Sequence, residues 1–299
     1  RVASDTRGTQ GNNKIKKEVD TMRRVTVTEL DQWQDCKSKW FYKYFHRYAP
    51  TKGESMGNRV YGTLAHKGAE VRLLLGRDDY EPAVRLLADE LGADEKAIQS
   101  ALGAVRAIPQ WVWQLDRPHV ETEIELPVPA VKKDCAKCAN WDDVTLVGHP
   151  DVWGFTGENE ILVIDFKTTS ESPKARMNKI YAHEVQLKRY ASILYTLMQQ
   201  GHFGTPIPNP IVGYQYIVVS YKGHCEVGGL NFLNQKIVDH VLSQAFTIAR
   251  EIGTGSPIEN YGPLCGWCEF WPICESALTG GDPNDIIDTD FLVKEAVHV

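Results

Sequence analysis

Apolar positions recur at helical spacing through the first third of the chain. Leucine and aromatic residues within 25–48 fall on one helix face and predict a helix that begins near Thr28. A second helix is predicted over residues 61–76, where a glycine ends the apolar pattern, and two more are predicted within 80–107. This part of the chain is therefore predicted to be helical.

The pattern changes from helical spacing to alternation after residue 118. Residues 119–128, 144–155 and 160–168 alternate between polar and apolar side chains, or run apolar, over the length of a strand. Between the last two segments, the sequence "TGENE" is typical of a turn. These segments predict strands of a sheet, and the last two are predicted to form a hairpin.

Helical and strand patterns follow one another again in the second half of the chain. A helix is predicted over residues 184–200, strands over 211–223 and 224–232, and a long helix over 233–253. The order of helices, strands, helix, strands and helix predicts an α/β fold in which a mixed central sheet is flanked by helices.

Charge and composition narrow the classes of protein that fit this pattern. The 299 residues carry a net charge of −6, so any binding of nucleic acid needs a local basic channel. No apolar run approaches the roughly 18 residues of a membrane span, and the N-terminal residues lack a hydrophobic signal-peptide core. We therefore expect a cytoplasmic protein of a bacterial or phage-infected cell, without a membrane partner.

The composition also suggests how the chain is divided. Residues 1–24 carry seven basic and three acidic side chains, and we expect them to form a flexible basic arm. Residues 25–280 contain the helix and strand patterns and are expected to form one domain. The acidic, weakly patterned residues 281–299 are expected to form a C-terminal tail.

Two acids and a lysine interrupt the predicted hairpin. Alternation along its second strand places Asp165 and Lys167 on the same face. If the turn is centred on Glu158, Asp151 lies opposite Asp165 across the hairpin. Two neighbouring carboxylates repel each other, and Lys167 or a divalent cation such as Mg²⁺ or Mn²⁺ would relieve the repulsion. A structural ion pair between aspartate and lysine also fits this pattern.

The acids and the lysine occur in the order of a known signature. Pro150-Asp151 followed by Asp165-Phe166-Lys167 resembles the signature of the PD-(D/E)xK nuclease superfamily. The motifs around this signature resemble, in order and spacing, the successive motifs of the RecB-type branch. They are "GTLAH" ending at His66, "GHPD" ending at Asp151, "IDFKT" ending at Thr168, and Gln186 with Tyr190. The resemblance covers most of residues 60–195 and implies a restriction-endonuclease-like fold.

The resemblance implies roles for individual residues. Asp151, Asp165 and Lys167 are the implied catalytic residues. The implied ligands of Mg²⁺ or Mn²⁺ are His66, Asp151, Asp165 and the carbonyl oxygen of Phe166. Gln186 and Tyr190 are implied to contact the DNA backbone or to position Lys167, although two residues four apart on a helix also fit ordinary packing.

Other polar residues near these motifs are open to two interpretations. Glu70 follows His66 by one helical turn, and it could support His66, reach a second metal ion or be an ordinary surface charge. Glu123 is a weaker candidate for a supporting role. Lys174 and Arg176 fall in a predicted loop, where they could bind phosphates or simply be solvated.

Three cysteines cluster near the C-terminus and one stands in the first predicted helix. Cys265, Cys268 and Cys274 need a fourth ligand to bind a metal, and Cys36 can supply it if the C-terminus folds back. This arrangement resembles the iron–sulfur nucleases, namely the nuclease domain of AddB and the CRISPR-associated RecB-like exonucleases. The resemblance implies a [4Fe-4S] cluster that closes the domain and packs its helical N-terminal part against the cysteines. A zinc ion on the same ligands is the alternative.

A second cysteine pair lies on a predicted hairpin. Cys135 and Cys138 could form half of a zinc site completed by a partner or by His149, or they could be exposed thiols. A zinc ribbon built from this pair with Cys265 and Cys268 would replace the iron–sulfur hypothesis.

Together these features predict a metal-dependent DNA exonuclease that prefers single-stranded DNA ends and acts in recombination, repair or phage DNA processing. The chain has no phosphate-binding loop of a helicase motor, so a helicase or recombination protein is a conceivable partner. One alternative is a non-catalytic, zinc- or cluster-stabilised DNA-binding subunit of a recombination complex. A CRISPR spacer-processing nuclease and a small-molecule metallohydrolase are the others.

Overall fold

The computed structural model describes residues 23–51, 56–75, 79–129, 144–183, 185–254, 262–263 and 265–294. Residues 1–22 of the predicted basic arm lie outside the described residues, and so do Cys135 and Cys138 with their predicted hairpin.

The helices and strands of the described residues are numbered in chain order. The α-helices are α1 (Val27–Asp35), α2 (Lys37–Trp40), α3 (Met56–Leu75), α4 (Glu81–Leu91), α5 (Glu95–Ala107), α6 (Pro173–His183), α7 (Gln186–Gln199), α8 (Gln235–Thr254), α9 (Trp271–Thr279) and α10 (Pro283–Asp290). The strands are β1 (Arg23–Thr26), β2 (Tyr48–Pro50), β3 (Asp116–Val120), β4 (Ile124–Pro127), β5 (Val144–Gly148), β6 (Val152–Gly157), β7 (Glu160–Thr169), β8 (Ile211–Ser220), β9 (Cys225–Val227), β10 (Asn231–Phe232) and β11 (Phe291–Val293). Phe41–Phe45 form a π-helix, and Gln110–Gln114 and Cys265–Trp267 form 3₁₀ turns.

A mixed sheet forms the centre of the described structure. Its strand order is β10-β8-β7-β6-β3, with β9 paired to β8. Strands β7 and β8 run parallel, whereas β6 and β7 form the predicted antiparallel hairpin. A smaller sheet has the order β1-β5-β4, and β11 pairs with β2. The predicted α/β fold with a mixed central sheet between helices is therefore confirmed.

Helices cover both faces of the central sheet. Ile161 and Val163 of β7 join the core that includes α7 and α8, while Leu162, Ile164 and Phe166 join the core that includes α3, α4 and α5. The alternation predicted for this strand is confirmed. Helix α7 is buried on nearly all sides because it lies between the sheet and α8, which explains its continuous apolar sequence.

The first helices begin earlier than their apolar patterns predict. Thr26, not Thr28, caps α1, because its side-chain oxygen accepts a hydrogen bond from the backbone N of Glu29 at 3.1 Å. A threonine three residues before a glutamate is a recognised start signal that the apolar spacing did not contain. Helix α3 likewise begins at Met56, five residues before the predicted start at residue 61. The two helices predicted within residues 80–107 are confirmed as α4 and α5.

The prediction of a loop after β7 is wrong, because Pro173–His183 form α6. Ser172 accepts a hydrogen bond from the backbone N of Ala175 at 3.2 Å, and Pro173 occupies the first helical position. The helix escaped prediction because most of its side chains are polar. Lys174 and Arg176 therefore lie on a helix.

The weakly patterned segment after the cysteines also contains regular structure. Helix α10 leads into β11, which pairs antiparallel with β2 so that Leu292 faces Ala49. The apolar residues Phe270, Ile273 and Phe291 form a small core with Tyr42 and Tyr48. This pairing brings the last described residues back against the segment that follows α2. Within the described residues, none of the helices is long and apolar enough to cross a membrane.

Candidate active site

The predicted acid pair meets where β6 begins and β7 ends. Val152 pairs with Ile164 and Trp153 with Val163, which is the register predicted from a turn centred on Glu158. Asp151 comes directly before β6, and its Oδ2 accepts a hydrogen bond of 2.6 Å from the backbone N of Phe166. The first acid is therefore fixed by the strand that carries the second.

Asp165 is buried beside Lys167. The side chain of Asp165 is 5% exposed, and its Oδ2 lies 2.6 Å from Nζ of Lys167. This close contact is an ion pair that holds the two side chains together. Burial raises the pKa of Asp165 to about 6, with the charge of Lys167 opposing the increase and that of Asp151 adding to it. A buried carboxylate that lies beside a second carboxylate is a suitable ligand for a cation.

Lys167 remains a cation in this setting. Burial by itself would lower the pKa of Lys167, but the charges of Asp165 and Asp151 outweigh burial and raise that pKa above its usual value. The ammonium group is therefore held charged at the edge of the acid pair, with its side chain 31% exposed.

His66 joins the acids from the opposite side. Its Nδ1 lies 3.4 Å from Oδ1 of Asp151 and 3.8 Å from Oε1 of Glu121. Burial lowers the pKa of His66, but hydrogen bonding to Asp151 and Glu121 and the charges of Asp151 and Asp165 outweigh burial and raise that pKa to about 10. One ligand atom from each of His66, Glu121 and Asp151 lies within 4.8 Å of the others, which is compact enough for a metal ion.

Glu121 belongs to this group although the sequence pattern did not single it out. The residue follows β3 with a positive φ of 48°, and its backbone N donates a hydrogen bond of 3.0 Å to the carbonyl oxygen of Asp151. Glu123, the weaker candidate from the pattern, instead contacts Arg24 and lies 3.4 Å from Nε2 of His149. The prediction assumed an unbroken strand, whereas the chain bends between β3 and β4 and changes which side chains face the site.

Two glycines allow the elements around the site to approach closely. A Cβ atom on Gly62 of α3 would lie 3.1 Å from Oγ1 of Thr168 at the end of β7. A Cβ atom on Gly148 would lie 2.8 Å from the ring of Tyr190. The glycine of "GTLAH" therefore lets α3 pack against the end of β7, which carries Asp165, and the glycine of "GHPD" lets α7 pack against the end of β5, three residues before Asp151.

Gln186 and Tyr190 form a hydrogen-bonded pair on α7. Nε2 of Gln186 donates to the hydroxyl oxygen of Tyr190 at 3.1 Å and to Oγ1 of Thr28 at 3.4 Å. Tyr190 is buried, and burial with the charge of Asp165 raises its pKa to about 12, so it stays protonated. The structure thus brings this pair together with Asp165 and with the start of α1.

Glu70 lies at the edge of the site. A cleft of about 440 Å³ opens beside the histidine and is lined by Gly62, Thr63, His66, Lys67, Glu70, Leu87 and Glu121. Oε2 of Glu70 lies 2.9 Å from Nζ of Lys67. Among the described residues, Glu70 is outside the compact group formed by His66, Glu121 and Asp151. On α6, Lys174 is exposed and Arg176 is partly exposed.

The four cysteines of the predicted cluster line one small cavity. Cys36, Cys265, Cys268 and Cys274 surround about 20 Å³ together with side chains that include Lys39 and Phe270. Sγ of Cys36 accepts a hydrogen bond from the backbone N of Lys39 at 3.4 Å, and Sγ of Cys265 accepts one from Gly262 at 3.2 Å. Such donors stabilise thiolates.

The spacing of these sulfur atoms bears on which metal they fit. A tetrahedral zinc ion needs its sulfur ligands about 3.8 Å apart, as follows from Zn–S bonds of about 2.3 Å. In the described part of the chain, no three cysteine sulfurs lie within 4.8 Å of one another. Among the described residues, these sulfurs are therefore not gathered at the spacing of a closed zinc site. Cys225 packs against the helical core, and burial raises its pKa to about 11.

Comparisons with known proteins agree with this geometry. The family model of the PD-(D/E)XK nuclease superfamily matches residues 24–275, and the chain therefore belongs to this superfamily. No curated protein matches the chain.

Two solved structures are similar in fold. A protein of Eubacterium rectale, described as a candidate exonuclease, has a TM-score of 0.51 at 8% identity, with 89% of this chain and 93% of that chain covered. The protein SSO0001 has a TM-score of 0.40 at 11% identity, with 86% and 88% covered.

Proposed function

We propose that the protein is a divalent-metal-dependent deoxyribonuclease that hydrolyses phosphodiester bonds at DNA ends and prefers single strands. One observation carries the proposal. In a chain of this superfamily, Asp165 is buried beside Asp151, and Nζ of Lys167 lies 2.6 Å from Oδ2 of Asp165. A solely structural ion pair between Asp165 and Lys167 would not explain why His66 and Glu121 place two more ligand atoms within 4.8 Å of a carboxylate oxygen of Asp151, in a group that does not include Asp165.

The residues present fit a Mg²⁺ or Mn²⁺ ion. Oxygen ligands with one imidazole suit these cations, and the ligand atoms of His66, Glu121 and Asp151 lie within 4.8 Å of one another. His66, Asp151, Asp165 and the Phe166 carbonyl oxygen would hold the ion, with Glu121 beside them. Bound there, the cation would polarise a phosphoryl oxygen and lower the pKa of a bound water.

The side chains of the chain itself supply the remaining steps. Asp151 is kept in place by the backbone N of Phe166, so its free oxygen faces His66. Lys167, held protonated, stabilises the negative charge that grows on the phosphate during attack. The hydroxyl of Tyr190, fixed by Gln186, restrains the neighbouring groups.

The exonuclease activity and the pathway are finer parts of the proposal. Cleavage from DNA ends rests on the RecB-type motifs, and it agrees with the description of the Eubacterium rectale protein, whose likeness to this chain is one of fold. Recombination, repair and phage DNA processing are the pathways we propose, with a helicase or recombination protein as partner, because the chain lacks a phosphate-binding motor loop.

We also propose that Cys36, Cys265, Cys268 and Cys274 hold a [4Fe-4S] cluster. Support comes from their common cavity and from the backbone N–H groups that donate to Sγ of Cys36 and of Cys265. Anaerobically purified protein should be brown, absorb visible light and contain iron and sulfide in equal amounts. Stoichiometric zinc in a colourless protein would contradict this assignment.

The nuclease proposal is tested with end-labelled single- and double-stranded DNA in the presence of Mg²⁺ or Mn²⁺. Lys167→Ala should lower the cleavage rate at least about a hundredfold, because one preorganised charge is lost from the transition state. Lys236→Ala, at an exposed lysine of α8, is the matched control and should cleave like the wild type. DNA left intact by the wild type with either metal would favour a non-catalytic DNA-binding subunit instead.

A further inference from the structure

An exposed aromatic ring ends the π-helix that follows α2. Phe45 is 61% exposed. Its ring is stacked on that of Phe41 with centroids 4.9 Å apart and planes 9° from parallel. His46 packs edge-on against Phe45 and is itself stacked on Tyr48 at 5.0 Å. Phe45 therefore has one face covered by a fixed aromatic stack and its other face open to solvent.

Three exposed cationic residues lie near Phe45 along the chain or across the pairing of β2 with β11. Lys43 and Arg47 are exposed and stand two residues before and after Phe45. The backbone N of Lys294 donates a hydrogen bond of 2.9 Å to the carbonyl oxygen of Arg47, which brings a third exposed cation alongside. Residues 36–50 contain four lysine or arginine residues and no acid, although the chain as a whole carries a net charge of −6. Lys37 and Lys39 pair with Glu251 and Glu269, so the cations offered to a ligand here are Lys43, Arg47 and Lys294.

The backbone here is irregular in a way that ordinary packing does not require. The backbone N of His46 donates to the carbonyl oxygen of Phe41 at 3.0 Å, which is the wide turn of a π-helix. Arg47 then adopts a positive φ of 59°, a conformation that is unfavourable for a non-glycine residue. Wide turns and unfavourable φ angles of this kind are concentrated at functional sites.

We propose that Phe45, Lys43, Arg47 and Lys294 bind a segment of single-stranded DNA outside the active site. A base stacks on the open face of Phe45, and the cations contact the neighbouring phosphates. The inference rests on the proposed nuclease function. The surface is connected to the active site through α1, because Thr28 contacts Gln186 at the site and α1 leads through α2 into the π-helix.

Charge decides between DNA and a protein as the occupant. Leu292 and Val293 are also exposed nearby and would suit a protein partner. Helix α10 carries acidic residues. It joins the ladder between β2 and β11 at the end where the backbone N of Thr51 donates a hydrogen bond to the carbonyl oxygen of Asp290. The other end of this ladder carries Phe45 and the three cations. Single-stranded DNA provides phosphates for the cations and flat bases for the ring.

The test measures affinity for a labelled single strand of thirty nucleotides in EDTA, on the Lys167→Ala background, so that no cleavage occurs. Phe45→Ala should weaken binding roughly tenfold, and Phe45→Trp should restore it, because either aromatic ring stacks on a base. Phe232→Ala, at a phenylalanine of β10 that is 56% exposed, is the matched control and should bind normally. Lys43→Ala should reduce the slope of log affinity against log salt concentration by about 0.7.

The outcomes separate this inference from the nuclease proposal. If Phe45→Ala and Lys43→Ala bind DNA normally and the wild type still cleaves, the proposal of a DNA-binding surface is overturned and the nuclease proposal stands. A protein partner would then be the occupant to test. An equal loss of DNA affinity in Phe45→Ala and Phe45→Trp, with a lowered melting temperature, would assign Phe45 a packing role. This result would also overturn the DNA-binding proposal. Failure of the wild type both to bind and to cleave DNA would remove the nuclease proposal itself.

Discussion

The two aspartates of the site are chemically identical but have different surroundings. Asp151 receives a backbone hydrogen bond and keeps one oxygen directed at His66. Asp165 is buried and faces a second carboxylate, and these effects outweigh the charges of Lys167 and His66, so its pKa rises to about 6. The first aspartate is positioned by the fold, whereas the second is held in an environment that favours binding a cation.

Glu121 and Glu123 provide a matched pair of variants at this scale. Glu121→Gln should raise the Mg²⁺ concentration needed for half-maximal cleavage about tenfold, because it removes a carboxylate that faces His66. Glu123→Gln should leave this concentration nearly unchanged, since Glu123 contacts Arg24 and His149. Metal titrations of cleavage measure both. An equal response from the two variants would mean that Glu121 has no special relation to the metal.

At the scale of elements, α1 and α7 are joined by a buried arginine. The side chain of Arg189 is 1% exposed, and its guanidinium contacts Asp31 and donates to Oε1 of Gln34 at 2.8 Å. Because Tyr190 follows Arg189 on α7 and Cys36 follows α1, this contact connects the active site with the cysteine segment. Helix α1 is therefore part of the wall of the site.

Helix α1 also gives a prediction for the dependence of stability on pH. Burial raises the pKa of Glu29 from its usual 4.5 to about 7, with Arg23 and a backbone hydrogen bond opposing the increase. The folded state therefore binds more protons than the unfolded state between these two values, so stability falls as pH rises through this window and stays lower above it. Glu29→Gln removes this effect.

Melting temperatures of the wild type and of Glu29→Gln, taken from pH 4 to 8, measure this pH dependence of stability. The difference in favour of Glu29→Gln should grow up to about pH 7 and then stay constant. Glu90→Gln, at an exposed glutamate of α4, is the control. A difference that does not change with pH would show that Glu29 titrates alike in the folded and unfolded chain.

At the scale of the molecule, the cysteine cavity joins segments from both ends of the described chain. Cys36 follows α1, Cys265 and Cys268 precede α9, and Cys274 lies within α9. Helix α9 is followed by α10 and by β11, which pairs with β2. The apolar core that closes this region is small. A bound cluster would therefore add much of the stability of this region.

Cysteine variants test this contribution. Cys36→Ser should lose the visible absorption and lower the melting temperature by roughly 5 °C or more, because metal binding contributes directly to folding free energy. Cys225→Ser, which alters a thiol packed against the helical core, should keep its metal content. Limited proteolysis should cleave residues 265–294 faster in Cys36→Ser only. Unchanged absorption in Cys36→Ser would exclude Cys36 as a ligand.

The sequence by itself determined the features that depend on local spacing. The alternation in β7 and the symmetric hairpin turn placed Asp165 and Lys167 on one face and Asp151 opposite, because side chains in a strand repeat every two residues. The apolar spacing likewise predicted α4, α5, α7 and α8 and the mixed sheet between helices.

Only the tertiary structure decided what depends on a break in that spacing or on distant contacts. Glu121 enters the site through a bend with a positive φ, and no apolar pattern encodes such a bend. Helix α6 is mostly polar, and α10 with β11 forms next to β2, more than two hundred residues earlier in the chain. A period identifies which side chains share a face within one element, whereas the meeting of elements depends on packing across the whole molecule.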